Sequence, residues 1–313
     1  MTNTILRCVA GLRNTACGTL ALALIASGRV RRARRDAFKQ NVITSIYFHN
    51  PNKRLFTNCI RWLLRHGYHF ISAGDLIEFI NNGKKLPKGA VWLSFDDGFR
   101  RLLEAVVPVV QKEHIPITIF VPSAIIDGAG LFPWLHSDSS AAGAAGNGRE
   151  GQASRDALSL EELKRIAAMP EVTIGSHTVN HTVTRHLSEL VVSFEFSKSK
   201  HDLECWTGKP VTCFAFPEGK FDGREPDLLK KLGYRFAATT EARFINRQQN
   251  AYLIPRFHVG DEISLPEAVC NMTGTWRTAI DCVSGLLKRL RLTVKDPHRS
   301  VRTQDITRIE SAP

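Results

Sequence analysis

From residue 42 to residue 259, short runs of β-branched and aromatic residues alternate with stretches of helical periodicity. No other feature of the chain restricts its fold as tightly. The predicted strands are Val42–Phe48, Ala90–Phe95, Ile117–Val121, Val172–Gly175, Val211–Phe216, Phe236–Thr239 and Leu253–Val259. The predicted helices are Phe56–Arg65, Gly74–Asn81, Phe99–Glu113, Leu160–Ala168, Leu187–Thr207 and Pro226–Leu232. Ser159 with Glu162 forms a capping box, and Ser72 or Asp75 can cap the second helix. Alternation of this kind predicts an α/β fold with a mainly parallel sheet. Seven or eight strands in about 220 residues favour closure into a barrel, with an open doubly wound sheet as the alternative.

The net charge of +12 resembles a nucleic-acid signal until it is partitioned. Residues 1–40 carry +7 and residues 288–313 carry +4, which leaves +1 for everything between. A domain that binds nucleic acid through its folded surface spreads basic residues over that surface, so a nucleic-acid partner is not expected. Basic ends suit an anionic surface such as lipid head groups. The seven cysteines are widely spaced and odd in number, without a CxxC pair, which argues against a disulfide framework and a thiolate zinc site.

The first forty residues hold Arg7 and Arg13, an apolar run from Ala16 to Ala26, then Arg29, Arg31, Arg32, Arg34 and Arg35. An interfacial helix followed by a polybasic stretch fits this pattern best, as an anchor on the inner membrane leaflet. An exported protein cleaved near Ala26-Ser27-Gly28 and a disordered leader are the alternatives. The expected organisation is a basic N-terminal segment (1–40), a catalytic domain (41–265) and a C-terminal helix with a basic tail (266–313). The Ala/Gly/Ser-rich stretch 137–156 reads as a flexible insertion. The expected location is cytoplasmic and peripheral at the membrane, with export as the alternative.

Three motifs each follow a predicted strand. In Ser94-Phe95-Asp96-Asp97-Gly98 two adjacent acids leave a strand on opposite sides, so one can bind a cation while the other stays free as a base. In His177-Thr178-Val179-Asn180-His181 two imidazoles four residues apart share a face if the segment is helical, and imidazole suits zinc and its neighbours. Phe214-Ala215-Phe216-Pro217-Glu218-Gly219 ends a strand in a turn whose Glu218 N–H could receive an oxyanion. A fourth element, Pro255-Arg256-Phe257-His258, places Arg256 and His258 on one side of a strand. One carboxylate and two imidazoles make three ligands with positions left open, as a catalytic metal requires.

With the opening Ser45-Ile46-Tyr47-Phe48-His49 strand and the Ile117–Val121 strand, these motifs resemble polysaccharide deacetylases of the NodB-homology type, carbohydrate esterase family 4, over about residues 42–260. The resemblance implies a distorted (β/α)7 barrel. It implies Asp96 as catalytic base, Asp97, His177 and His181 as ligands of a divalent metal (zinc, with cobalt or nickel as alternatives), and hydrolysis of an N-acetylated glycan to acetate and a free amino sugar. Phe214 stands where many members carry an arginine held against the base, and Glu218 where they carry a tyrosine, so Arg256 is expected to supply the missing charge. His258 is the candidate acid. Phe216, Pro217 and Trp134 are the substrate-binding candidates. Hydrolysis of a different non-peptide C–N bond, or a non-catalytic membrane- or carbohydrate-binding relative, are the competing readings.

Overall fold

A computed structural model describes residues 2–136 and 156–280. In chain order the elements are α1 (Thr2–Ala26), α2 (Arg29–Gln40), β1 (Thr44–Phe48), α3 (Lys53–Arg65), β2 (His69–Phe70), α4 (Ala73–Asn82), β3 (Ala90–Phe95), α5 (Leu102–Ala105), α6 (Val107–Glu113), β4 (Ile117–Val121), α7 (Ser123–Asp127), α8 (Pro133–His136) and α9 (Leu160–Ala167). They continue as β5 (Val172–Ser176), α10 (Glu189–Thr207), β6 (Cys213–Ala215), α11 (Glu225–Lys231), β7 (Phe236–Ala238), β8 (Phe257–His258) and α12 (Leu265–Met272).

The strands form one parallel sheet in the order β7-β6-β5-β4-β3-β1-β8, with β2 added beside β3. The sheet curls into the distorted barrel, and residues 254–259 close it. Ile254 donates its N–H to Ala237 O on one side (2.8 Å), Phe257–His258 pair with β1 on the other, and the Val259 N–H reaches Tyr47 O. β1, β3 and β4 are buried at every position, as expected of parallel strands covered on both faces. The interior is filled by Trp92, Phe120, Cys213, Phe236 and Ile254, and α4 seals one end with Leu76, Ile77 and Phe79. Packing there is tight enough to require Gly175: a Cβ at this position would overlap Phe120 and lie 2.8 Å from Cys213 Sγ.

Several expectations hold in detail. Capping boxes form at Ser72/Asp75 and at Ser159/Glu162. Cys17, Cys59, Cys205, Cys213 and Cys270 are free thiols. The predicted helix 99–113 is instead two short helices, because Pro108 has no N–H for the backbone ladder. The predicted strand 253–259 shortens to two residues for the same reason. Pro255 cannot donate, and the Arg256 N–H turns to Glu241 O at 2.8 Å. Residues 137–155 of the expected insertion, and the chain beyond residue 280, lie outside the described residues.

Candidate active site

Asp96, Asp97, His177, His181 and Glu218 follow the C-terminal ends of β3, β5 and β6, where parallel barrels expose their loops, and Arg256 directly precedes β8. β3 ends at Phe95, and the Asp96 N–H extends the ladder by donating to Phe48 O at 3.0 Å. The next residues, Asp97 and Gly98, both take φ of +70°. Gly98 is required here, since a Cβ would meet Val121 Cγ1 at 2.6 Å. The two carboxylates diverge, because the chain turns at Asp97 with positive φ instead of continuing the strand, and they find different partners.

Asp96 is 2% exposed and faces Arg256, which is fully buried. The guanidinium donates from Nη1 to Asp96 Oδ1 at 2.7 Å and from Nη2 to Oδ2 at 2.8 Å, a bidentate pair joining residues 160 apart in sequence. Further bonds to Ser94 Oγ and Thr239 O fix the guanidinium, and the Tyr47 ring lies against it at 4.3 Å. Burial raises the Asp96 carboxyl, but Arg256 and then His177 outweigh it and hold the group below the usual carboxylate range. Arg256 thus supplies the cation that Phe214 cannot. Phe214 is a core residue, packed edge-on against Phe196, Phe216 and Tyr234.

Asp97 turns the other way. His177 Nε2 lies 3.5 Å and His181 Nε2 3.3 Å from Asp97 Oδ1. That oxygen is buried and, among the described residues, has no hydrogen-bond partner. One ligand atom from each of the three residues fits within a sphere of mutual separations of 4.8 Å. Two donors each about 2.0–2.1 Å from a tetrahedral zinc stand roughly 3.3 Å apart, so the spacing and the orphaned oxygen both fit a divalent cation among them. Burial raises the Asp97 carboxyl, but the imidazoles of His177 and His181 hold it far below its ordinary range. Burial lowers the His177 imidazole, but Asp97 and Asp96 together raise it.

The two histidines do not share a helix face. β5 ends at Ser176, the His177 N–H donates to Val121 O, and the chain then loops through Thr178 and His181, both with positive φ. His177 Nδ1 sits 2.7 Å from Ala215 O, so this nitrogen donates and Nε2 is left as the ligand atom. A carboxylate that the sequence did not single out shapes the loop. Glu195 of α10 is buried and accepts from Val179 N–H (2.7 Å), Asn180 N–H (3.3 Å), Asn180 Nδ2 (3.2 Å) and Thr182 Oγ1 (3.0 Å). Its one sequence signal is an acid set within the apolar stretch Val191-Val192-Ser193-Phe194-Glu195-Phe196.

The remaining candidates divide. Trp134 lies over the site, its ring 4.3 Å from that of His181. The Glu218 N–H has no acceptor among the described residues; the residue takes φ +56° in the turn Pro217–Gly219, while its side chain turns outward to pair with Lys220. Phe216 and Pro217, the other substrate-binding candidates, are not exposed at the rim. Both are buried, and Phe216 packs in the core against Phe214 and Phe221, because β6 is covered on both faces and its end still lies beneath the turn. His258 is exposed at the rim, its ring 4.9 Å from Tyr47 and 5.2 Å from His49. His49 directly follows β1, the position relative to its strand that marks the other site residues. It contributes positive potential at both Asp96 and Asp97.

The rim of the barrel thus brings together a three-donor cluster of a kind that can hold a cation and, beside it, an ionised carboxylate paired with arginine. Comparison with known proteins agrees. A family model described as polysaccharide deacetylase matches residues 83–237. Poly-β-1,6-N-acetyl-D-glucosamine N-deacetylase of Staphylococcus aureus is 24% identical over 248 residues, covering 74% of this chain and 77% of the relative. Its Staphylococcus epidermidis counterpart is 25% identical over 219 residues, covering 66% and 67%. Among solved structures, the Streptococcus pyogenes deacetylase PplD in complex with acetate superposes with a TM-score of 0.59 at 20% identity, covering 74% of this chain and 97% of that one. IcaB from Ammonifex degensii gives 0.58 at 18% identity with the same coverage. Residues 83–237 thus match a polysaccharide deacetylase domain, and the relatives that align with most of the chain are polysaccharide deacetylases.

Proposed function

We propose that this chain removes N-acetyl groups from a glycan built of N-acetylhexosamine, using a divalent cation held by Asp97, His177 and His181 and Asp96 as general base. The observation that carries the reading is the divergence of two adjacent carboxylates, one into a three-donor cluster and one into a bidentate arginine clamp. The activity for which the staphylococcal relatives are named, on poly-β-1,6-N-acetyl-D-glucosamine, supports the substrate class. Zinc suits the donor set best, with cobalt and nickel as alternatives.

A divalent cation bound there supplies Lewis acidity, polarising an acetamide carbonyl and acidifying a water. Asp96, kept ionised by Arg256, accepts the proton of the attacking water on a lone pair that the guanidinium leaves free. The Glu218 N–H offers a fixed donor to the oxygen that gains charge in the tetrahedral state. The departing amine takes its proton from the imidazole pair His49 and His258. Trp134 provides an apolar face for a sugar ring beside His181.

The test is metal content of the purified full chain, together with acetate release from N-acetylglucosamine oligomers and from small amides. Stoichiometric zinc with release from the oligomers supports the reading. Release from small amides alone moves the assignment to another C–N bond. No bound metal with full activity rejects the cation site.

A further inference from the structure

The N-terminal helices play no part in the site above, yet they are built in an unusual way. α1 lies along α12, with Ala21 and Leu24 buried, Cys270 Sγ 3.7 Å from Ala21 O, and Arg13 paired with Glu267 at 3.1 Å. No charged residue occurs from 14 to 28. The outward side of this stretch therefore presents only apolar and small uncharged groups, with Leu20, Leu22 and Ile25 exposed by 46, 56 and 37%. Ser27 and Gly28 turn the chain directly into α2, which buries Val30 and Ala37. At about 100° per residue, Arg31, Arg32, Arg35 and Lys39 fall within a single arc opposite those two residues. All four are exposed, as is Arg29 beside them. The acid on α2, Asp36, is paired with Arg35 at 3.6 Å.

An exposed uncharged helix surface that carries Leu20, Leu22 and Ile25, followed at once by an exposed stripe of cations, matches the two layers of a lipid surface, acyl chains below and anionic head groups above. We infer that α1 and α2 dock the folded enzyme onto an anionic bilayer, lying in its interface. No described helix is long and apolar enough to cross a membrane, so the contact is peripheral. The glycan does not explain the stripe. Each acetyl group removed uncovers an amine that is cationic near neutral pH, and a basic face repels such a product. RNA would match the cations of α2 and leave the apolar face of α1 without a function.

The lipid contact itself does not rest on the proposed function; only the exclusion of the glycan does. It is tested with the full chain by co-sedimentation with vesicles of phosphatidylcholine alone or mixed with phosphatidylglycerol. Acetate release from a soluble oligomer is measured alongside. Binding is expected on the mixed vesicles only, and is expected to weaken as salt rises. The variant Arg31→Gln/Arg32→Gln/Arg35→Gln/Lys39→Gln, with the basic residues after 288 left in place, should bind on the order of several hundred-fold more weakly, from roughly fivefold per cation. Leu22→Gln should weaken binding even at high salt, where the cations are screened. Both variants should keep wild-type release from the soluble oligomer. The inference is overturned by equal binding to neutral and mixed vesicles, by no binding to either, by undiminished binding of the four-residue variant, or by RNA binding without lipid binding.

Discussion

Glu195 lies outside the cation site, yet the geometry makes that site depend on it. Its two oxygens accept four bonds from the loop that carries both imidazoles, two of them from backbone N–H groups of Val179 and Asn180. Glu195→Gln changes almost no volume but replaces one acceptor oxygen with an NH2 group. The Val179 and Asn180 N–H groups can only donate, so the amide must turn its NH2 toward Asn180 Nδ2 and Thr182 Oγ1, which must then reverse their roles, while the charged acceptor becomes a neutral one. A hydrogen bond to a charged acceptor is worth about 1.5–3 kcal/mol, and each 1.4 kcal/mol is tenfold in an equilibrium constant. If the loss falls on the loop arrangement that brings His181 Nε2 to Asp97, zinc affinity should drop roughly 10- to 100-fold. Glu195→Ala, which removes all four acceptor contacts, should lose more. The assay is competition for zinc against a chromophoric chelator, using metal-free full-length protein, with the melting temperature recorded in parallel. At saturating zinc the Gln variant should recover most of its kcat, because Glu195 touches none of the reacting groups. Zinc affinity within about twofold of wild type would falsify the link between this carboxylate and the ligand loop.

Other expectations follow from the same geometry. Asp96→Asn should retain metal and lose about 10²- to 10⁴-fold in kcat/KM, the usual contribution of a general base; a rate above about a tenth of wild type refutes that role. His181→Ala should lose its metal, and full occupancy by elemental analysis would exclude the three-donor site. Arg256→Met leaves a carboxylate buried without its partner, at a cost of about 3–5 kcal/mol in a denaturant titration. In wild type the Asp96 carboxyl lies below its ordinary value of 3.8, so the pair stabilises the fold fully above that value and the contribution fades as pH falls through the depressed one. Without the guanidinium, burial dominates and the pKa rises. The acid limb of kcat/KM should then move to higher pH, and an unmoved limb contradicts the clamp. Gly219→Ala combines φ +67° with overlap against Thr240, so acetate release should fall while zinc content stays at the wild-type level.

Much of the fold was legible because parallel strands are buried on both faces and stand out as apolar runs between helices. The two-residue β2 escaped notice, since a strand that short leaves no period. The site motifs were legible because a barrel must carry its chemistry at strand ends. The reading of the histidine pair as one helix face was incomplete. A loop with two positive-φ residues brings the rings together just as closely, and spacing alone does not separate the two. The burial of Phe216 and Pro217 was not legible for a related reason. A strand covered on both sides shows no alternation to tell cavity from core. Glu195 was illegible because its function is defined by N–H groups of residues 179 and 180, which carry no side-chain signature.

The clamp on Asp96 sits on the seam where the last strand meets the first. Until the chain has been made as far as Arg256 and that ring has closed, the aspartate has no guanidinium to hold its charge in a dry interior. On the proposed role of Asp96, competence to hydrolyse waits on completion of the architecture. A molecule cut before residue 256 keeps the donor side chains at 97, 177 and 181 but lacks the guanidinium that pairs with Asp96.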